Sequence, residues 1–252
     1  MARRNKRNRR RRRGSFSFLY KMLCLVVIVG AIAAAMAVFF KADYIEITGN
    51  SRYTTKEVLA ASELEVEDNL FFLNKYAVAE KICAALPYVE SVQINRRLPD
   101  ALCIRVQECV CRVALQYDGK AWILCDSGKI VDVMEPEAAQ GFAQVTGVTP
   151  VNPQVGAMLV ADEQTQLALD QLMEMIRQLR SKEMLPEVQE IHLEEASVIT
   201  LRYLDRFDVE LLWGADFDYK FSFLQKMIQK MEDYERGKIK LTRDGEGRFI
   251  AE

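Results

Sequence analysis

Histidine is nearly absent: His192 is the only one among 252 residues. A Ser-His-Asp triad or a histidine-built zinc site would have a single residue to draw on. That residue lies in Glu190-Ile191-His192-Leu193-Glu194, where Ile191 and Leu193 alternate with three polar residues, so His192 reads as the polar face of a strand. The Glu194-Glu195 pair has no second acidic pair placed for glycoside chemistry. A Gly-x-Ser-x-Gly elbow, a phosphate-binding glycine loop and a Cys-x-x-Cys pair are also missing. No residue is given a catalytic, cofactor-binding or metal-ligating role, and no enzyme activity, cofactor or small-molecule substrate is expected.

Acidic residues are missing from the first 40 positions, where Arg3, Arg4, Lys6, Arg7 and Arg9 to Arg13 crowd the start and Lys21 follows. From Met22 to Phe40 the chain is uninterruptedly apolar. At ~1.5 Å per residue this makes a helix ~28 Å long, close to the ~30 Å hydrocarbon core of a bilayer. Positive charge stays on the cytoplasmic side, so a type II, single-pass protein is expected, with everything after Lys41 exported. A cleaved secretory signal is the alternative, with Ala33, Ala34, Ala35, Met36 and Ala37 as small residues near a cleavage site; against it, the apolar run exceeds the ~7–15 residues of a signal core. A basic run beside a span fits anionic lipid better than nucleic acid.

The first 40 residues hold ten of the 34 basic residues, leaving 24 against 36 acidic ones and a net charge near minus 12 beyond them. So acidic a region is a poor nucleic-acid binder, and it is long enough for two small cored domains. Five cysteines follow the span: Cys83, Cys103, Cys109, Cys111 and Cys125. The odd number leaves open reduced thiols, a disulfide somewhere or, least of all, metal. Cys109 and Cys111 have the spacing of one strand face.

Tyr44 to Thr48 alternates as a strand, and Gly49-Asn50-Ser51 turns the chain. Thr54 and Glu57 form a capping box for a helix through Ser62. A second helix runs from about Asn74 to Leu86 and closes at Pro87, followed by strands Val89 to Arg96 and Ala101 to Glu108. Four stretches of this β-α-α-β-β order resemble the POTRA domain of the FtsQ/DivIB family of bacterial division proteins. They are Ile45-x-Ile47-x-Gly49-Asn50, Asn69-Leu70-Phe71, Leu86-Pro87-x-Val89 and Arg97-Leu98-Pro99-x-x-Leu102-x-Ile104-x-Val106-x-Glu108. The strand Ala121 to Cys125, flanked by Asp118-Gly119 and Asp126-Ser127-Gly128, is similar to that family's segment around Trp122 and Asp126.

The layout continues in the family's order. A helix at Thr165 to Arg180 precedes strands at Val188 to Leu193, Val198 to Leu204 and Phe207 to Trp213, then a helix at Phe217 to Tyr234 and a last strand, Lys238 to Thr242. The expected fold is α+β: a basic tail (1–21), a transmembrane helix (22–40), a POTRA domain (44–109) and a mixed-sheet β domain with two helices (110–252). The resemblance implies a non-catalytic scaffold of the divisome at the septal membrane, docking FtsB/DivIC- and FtsL-like subunits at the far end of the β domain. In this chain that surface is Lys238, Ile239, Lys240, Leu241, Thr242, Arg243, Asp244, Gly245 and Phe249. Alternatives are a POTRA-type translocation component and an exported thiol or metal enzyme using Cys109, Cys111 and Cys125.

Overall fold

The computed structural model describes residues 16–66, 68–194, 198–242 and 247–251; the basic run up to Arg13, Glu195, Arg243, Asp244 and Gly245 lie outside them. The apolar run forms helix α1 (Phe16–Phe39). Its segment Phe18–Phe39 is long and apolar enough to cross a membrane, with none of it buried in the protein. A helix apolar on every side and exposed along its length fits an apolar solvent. This suggests a single-pass membrane protein.

Next come β1 (Tyr44–Thr48), α2 (Thr55–Ser62), α3 (Lys75–Ala85), β2 (Val89–Arg97) and β3 (Ala101–Glu108). Local chemistry sets the helix starts. Thr54 caps α2 in a reciprocal box with Glu57, and the Asn74 side chain accepts from the amides of Tyr76 and Ala77 at the start of α3. The sheet order is β1-β3-β2, with β1 parallel and β2 antiparallel to the central strand. Leu102, Ile104 and Val106 alternate into a core with Val58, Leu70, Ile82 and Val89, each worth roughly 1.5–3 kcal/mol when fully buried. Gly49 has φ +83°, and a Cβ there would run into the Val106 carbonyl, so the turn after β1 needs glycine.

The rest of the chain builds one nine-stranded sheet from β4 (Cys111–Tyr117), β5 (Lys120–Cys125), β6 (Ile130–Met134), β7 (Ala143–Thr146), β8 (Val188–His192), β9 (Val198–Tyr203), β10 (Phe207–Leu212), β11 (Gly237–Leu241) and β12 (Gly247–Ala251). Its order is β12-β11-β10-β9-β8-β7-β4-β5-β6. The ladders β4–β7, β7–β8 and β10–β11 are parallel. Helices α4 (Gln166–Ser181) and α5 (Phe217–Ile228) bury Leu172, Met175, Ile176, Leu179, Phe221 and Leu224 in a core shared with Leu115, Ile191, Leu201, Val209 and Ile239 of the strands. A second small core of Ala114, Ala121, Ile123, Cys125, Val131 and Ala139 has Tyr88 packed against it.

The whole is α+β, as expected, with two differences. Strands β4 and β6 answer to the hairpin signals at Asp118-Gly119 and Asp126-Ser127-Gly128, but β7 and β12 were not expected, so Lys238 to Thr242 is not the last strand. Helix α5 stops at Ile228, six residues before Tyr234. Its end tightens into turns, with Lys230 N–H donating to the Met227 carbonyl and Met231 N–H to that of Ile228. Arg206, from the turn before β10, donates to the carbonyls of Glu232 and Asp233 beyond the helix end.

The two sheets meet through polar side chains. Tyr88 Oη donates to Asp132 Oδ2 at 2.8 Å, and Lys129 Nζ to the carbonyls of Cys83 and Val89 at 3.1 and 3.0 Å.

Candidate partner-binding edge

Strand β11 alternates as its sequence dictates. Ile239 and Leu241 enter the core, while Lys238 and Lys240 face the other way. Both lysines place Nζ 2.8 Å from the carboxylate of Glu210 on β10. Hydrogen bonds from Lys238 and then Lys240 hold the Glu210 carboxyl below its ordinary pKa. On the main chain, β11 is paired on both sides, parallel to β10 and antiparallel to β12. The stretch expected to be an open edge therefore lies one strand inside the sheet, and β12 is the edge.

Strand β12 holds its place through Phe249, which sits opposite Ile239 with its ring edge-on to Phe207 at 6.2 Å between centroids. Arg248 and Ile250 lie opposite Lys240 and Lys238 and share their face, and Ile250 is 43% exposed. Among the described residues the opposite side of β12 carries no neighbouring strand. A row of main-chain donors and acceptors so placed is a template for another chain. Phe249, read from sequence as a docking side chain, is partly buried and packs against the core.

Behind this edge, Lys220 of α5 is only 5% exposed and donates to the Thr242 carbonyl. It ties the end of β11 to the helix, whose first turn is capped by Asp216 accepting from Tyr219 N–H at 3.1 Å. A cavity of about 380 Å³ opens between Trp213, Asp216, Tyr219, Lys220 and Thr242. A larger open depression of about 700 Å³ lies at the strand ends near Tyr117, Thr149, Thr165 and Glu194.

His192 sits on a strand's polar side with Nδ1 2.9 Å from Thr146 Oγ1 and Nε2 3.1 Å from Glu190. Cys109 and Cys125 form a disulfide, and Cys111 Sγ lies 3.9 Å from Cys125 Sγ. Burial pushes the Cys111 thiol up to about 11, so it is protonated at neutral pH and a poor nucleophile. Cys109 lies just before β4, and both it and Cys111 pack against the small core that holds Cys125. Among the described residues no three of His, Cys, Asp and Glu are grouped to hold a metal ion.

Comparison with known proteins gives consistent results. Residues 40–108 match the family model described as POTRA domain, FtsQ-type. The cell division protein DivIB of Clostridium tetani is 23% identical over 180 residues, covering 71% of this chain and 66% of that protein. The cell division protein FtsQ of Syntrophotalea carbinolica is 26% identical over 216 residues, covering 83% of this chain and 74% of the relative. The solved extracytoplasmic domain of DivIB from Geobacillus stearothermophilus, in its trans isomer, aligns with 50% of this chain and 99% of its own at 14% identity. Its TM-score of 0.29 is too low to say anything about this chain's shape. The chain carries a POTRA domain of FtsQ type and is a homologue of the FtsQ and DivIB cell division proteins.

Proposed function

We propose that this chain is a non-catalytic, bitopic scaffold of the bacterial divisome that binds FtsB/DivIC- and FtsL-like membrane subunits and holds them at the septum. In this reading residues 1–21 lie in the cytoplasm against anionic lipid, 22–40 cross the membrane, and the POTRA domain (44–109) and β domain (110–252) lie outside. The observation that carries the reading is the uncovered side of β12, at one end of a nine-stranded sheet, in a chain whose relatives are cell division proteins. A partner segment adds to that side as a further strand, main-chain hydrogen bonds supplying affinity and alternate side chains the register. One face of the added strand meets Arg248 with Lys240 behind it, so an acidic residue there fits best. Lys238 to Leu241 form the second row of the site, Phe249 its anchor and Thr242 its rim.

The test uses two prolines. Successive residues of a strand send their N–H groups to opposite sides, so of Ile250→Pro and Ala251→Pro one removes a donor to β11 and the other a donor on the open side. The open-side variant should keep the parental melt yet bind an FtsB/DivIC-like ectodomain at least about tenfold more weakly, the cost of one lost bond plus a bent edge. If both variants fold and bind like the parent, β12 is not the docking edge.

A further inference from the structure

The end of the membrane helix is held by the POTRA domain. The carbonyls at the end of α1 run out of donors within the helix, Met36 accepting the Phe40 amide at 3.3 Å as the last bond of the ladder, and in hydrocarbon those left over would be unsatisfied. The Asn69 side-chain amide supplies donors, with Nδ2 3.1 Å from the carbonyls of both Met36 and Ala37. On its other side Asn69 Oδ1 accepts the amides of Phe71 and Phe72 at 2.9 and 3.2 Å. The backbone closes around this joint: Leu70 N–H donates to the Phe40 carbonyl at 2.9 Å, and Ala42 N–H to that of Asp68 at 2.8 Å. Leu70 itself is buried in the POTRA core, and the Phe71 ring stands edge-on to Phe40 at 4.7 Å.

These bonds fix a depth. The Met36 carbonyl lies four residues before the apolar run ends at Phe40, about 6 Å along the helix axis. A loop hydrogen-bonded there cannot stand clear of the bilayer while the helix spans it. Two rings beside the joint have no protein cover: Phe72 is 73% exposed, and Tyr76, in the first turn of α3, is 84% exposed. Aromatic rings of this kind partition to the headgroup level of membranes.

We propose that the turn from Asn69 to Leu73 and the first turn of α3 form a membrane-contacting face. Phe71, Phe72 and Tyr76 lie at the lipid–water interface where the span ends, and Asn69 locks the domain to the span. The occupant is the phospholipid headgroup and upper acyl region, because the exposed rings continue the surface of the span itself. The inference rests on reading α1 as a membrane helix. It makes the POTRA domain a fixed extension of the span.

The test places tryptophan at the face in the full chain, reconstituted alone into phosphatidylcholine–phosphatidylglycerol vesicles with and without brominated acyl chains. Trp122 and Trp213, both in the nine-stranded sheet region, give a constant background. Phe72→Trp and, separately, Tyr76→Trp replace exposed rings, so the fold is not challenged, and Val29→Trp reports the middle of the span. The expected result is blue-shifted emission from residues 72 and 76, with about half or more of the added signal quenched by the bromolipid. Adding Asn69→Ala should weaken that quenching and leave the signal at residue 29 unchanged. Quenching at residue 29 with none at residues 72 and 76 overturns the proposal and leaves the span standing. No quenching at any of the three overturns the span reading, and the proposal with it.

Discussion

Glu108, the last residue of β3, offers the most direct test of how the POTRA domain is closed. Its carboxylate accepts the amides of Ser51 at 2.9 Å, Arg52 at 2.9 Å and Tyr53 at 3.3 Å, and the Ser51 hydroxyl as well. It therefore fastens the loop between β1 and α2 to the end of the central strand, and through Arg52, stacked 3.6 Å over the Tyr88 ring, to the second sheet. Burial pushes the Glu108 carboxyl up, but the bonds from Ser51, Arg52 and Tyr53 together outweigh it and hold the pKa below 4.5. A folded-state pKa below the unfolded one stabilises the fold above about pH 4.5, and the stabilisation is lost as pH falls through the folded value. Glu108→Gln keeps the shape but removes the charged acceptor and presents an amide donor to a cluster of N–H groups. A charged hydrogen bond is worth about 1.5–3 kcal/mol, and partial solvent exposure at this loop brings the expected loss to roughly 1–2 kcal/mol. Urea unfolding of the full chain in mild detergent, followed by circular dichroism from pH 7 down to about pH 3.5, reads both the size and the pH dependence. The gap between parent and variant should be full at pH 7 and close in acid. Equal stability at pH 7, or a gap unchanged down to the lowest pH, would refute this account of the loop.

Asp126, whose side chain is only 6% exposed, is raised above its ordinary pKa by burial against the pull of Arg180 at 3.0 Å. Its ionisation opposes folding as pH rises, so Asp126→Asn should melt above the parent at pH 7 by up to about 1 kcal/mol and match it below about pH 4. Because β11 is paired on both sides, Lys240→Pro should cost about 3 kcal/mol or more and unfold the C-terminal end of the sheet in a thermal melt. Lys240→Ala leaves Lys238 on Glu210 and should cost under about 1 kcal/mol. Gly147, at φ +92°, has the Leu193–Glu194 backbone where a Cβ would stand, so Gly147→Ala should lower the melt by about 2 kcal/mol or more.

How legible each element is in the sequence follows from where its determinants lie. The capping box of Thr54 and Glu57, the Asn74 cap, Pro87 and the alternation of Leu102, Ile104 and Val106 are local, and the β-α-α-β-β unit follows from them. Strands β7 and β12 have four and five residues and owe their state to the ladders they form with β4, β8 and β11. Strand β4 pairs with both β5 and β7, the second a parallel ladder that leaves no turn signature. The stretch after α5 is held by Arg206, more than twenty residues upstream, a contact that no helical periodicity reveals. The stretch expected to dock a partner, Lys238 to Thr242, reads from sequence as an edge but lies one strand inside the sheet, because Gly247 to Ala251 is short and its one inward ring, Phe249, reads equally well as an exposed contact. Asn69-Leu70-Phe71 was visible as a motif, yet the meaning of Asn69 depends on the carbonyls of Met36 and Ala37, over thirty residues away.

The central claim is that a division partner adds a strand to β12. Amide hydrogen exchange on the full chain in lipid nanodiscs, with and without a saturating FtsB/DivIC-like subunit, tests it most directly. The account predicts slowed exchange across residues 247–251 when the partner is bound, with the opposite edge, β6, unchanged. Saturable binding that leaves β12 exchanging as in the free chain, and protects β6 or the edges of the three-stranded sheet instead, would contradict it.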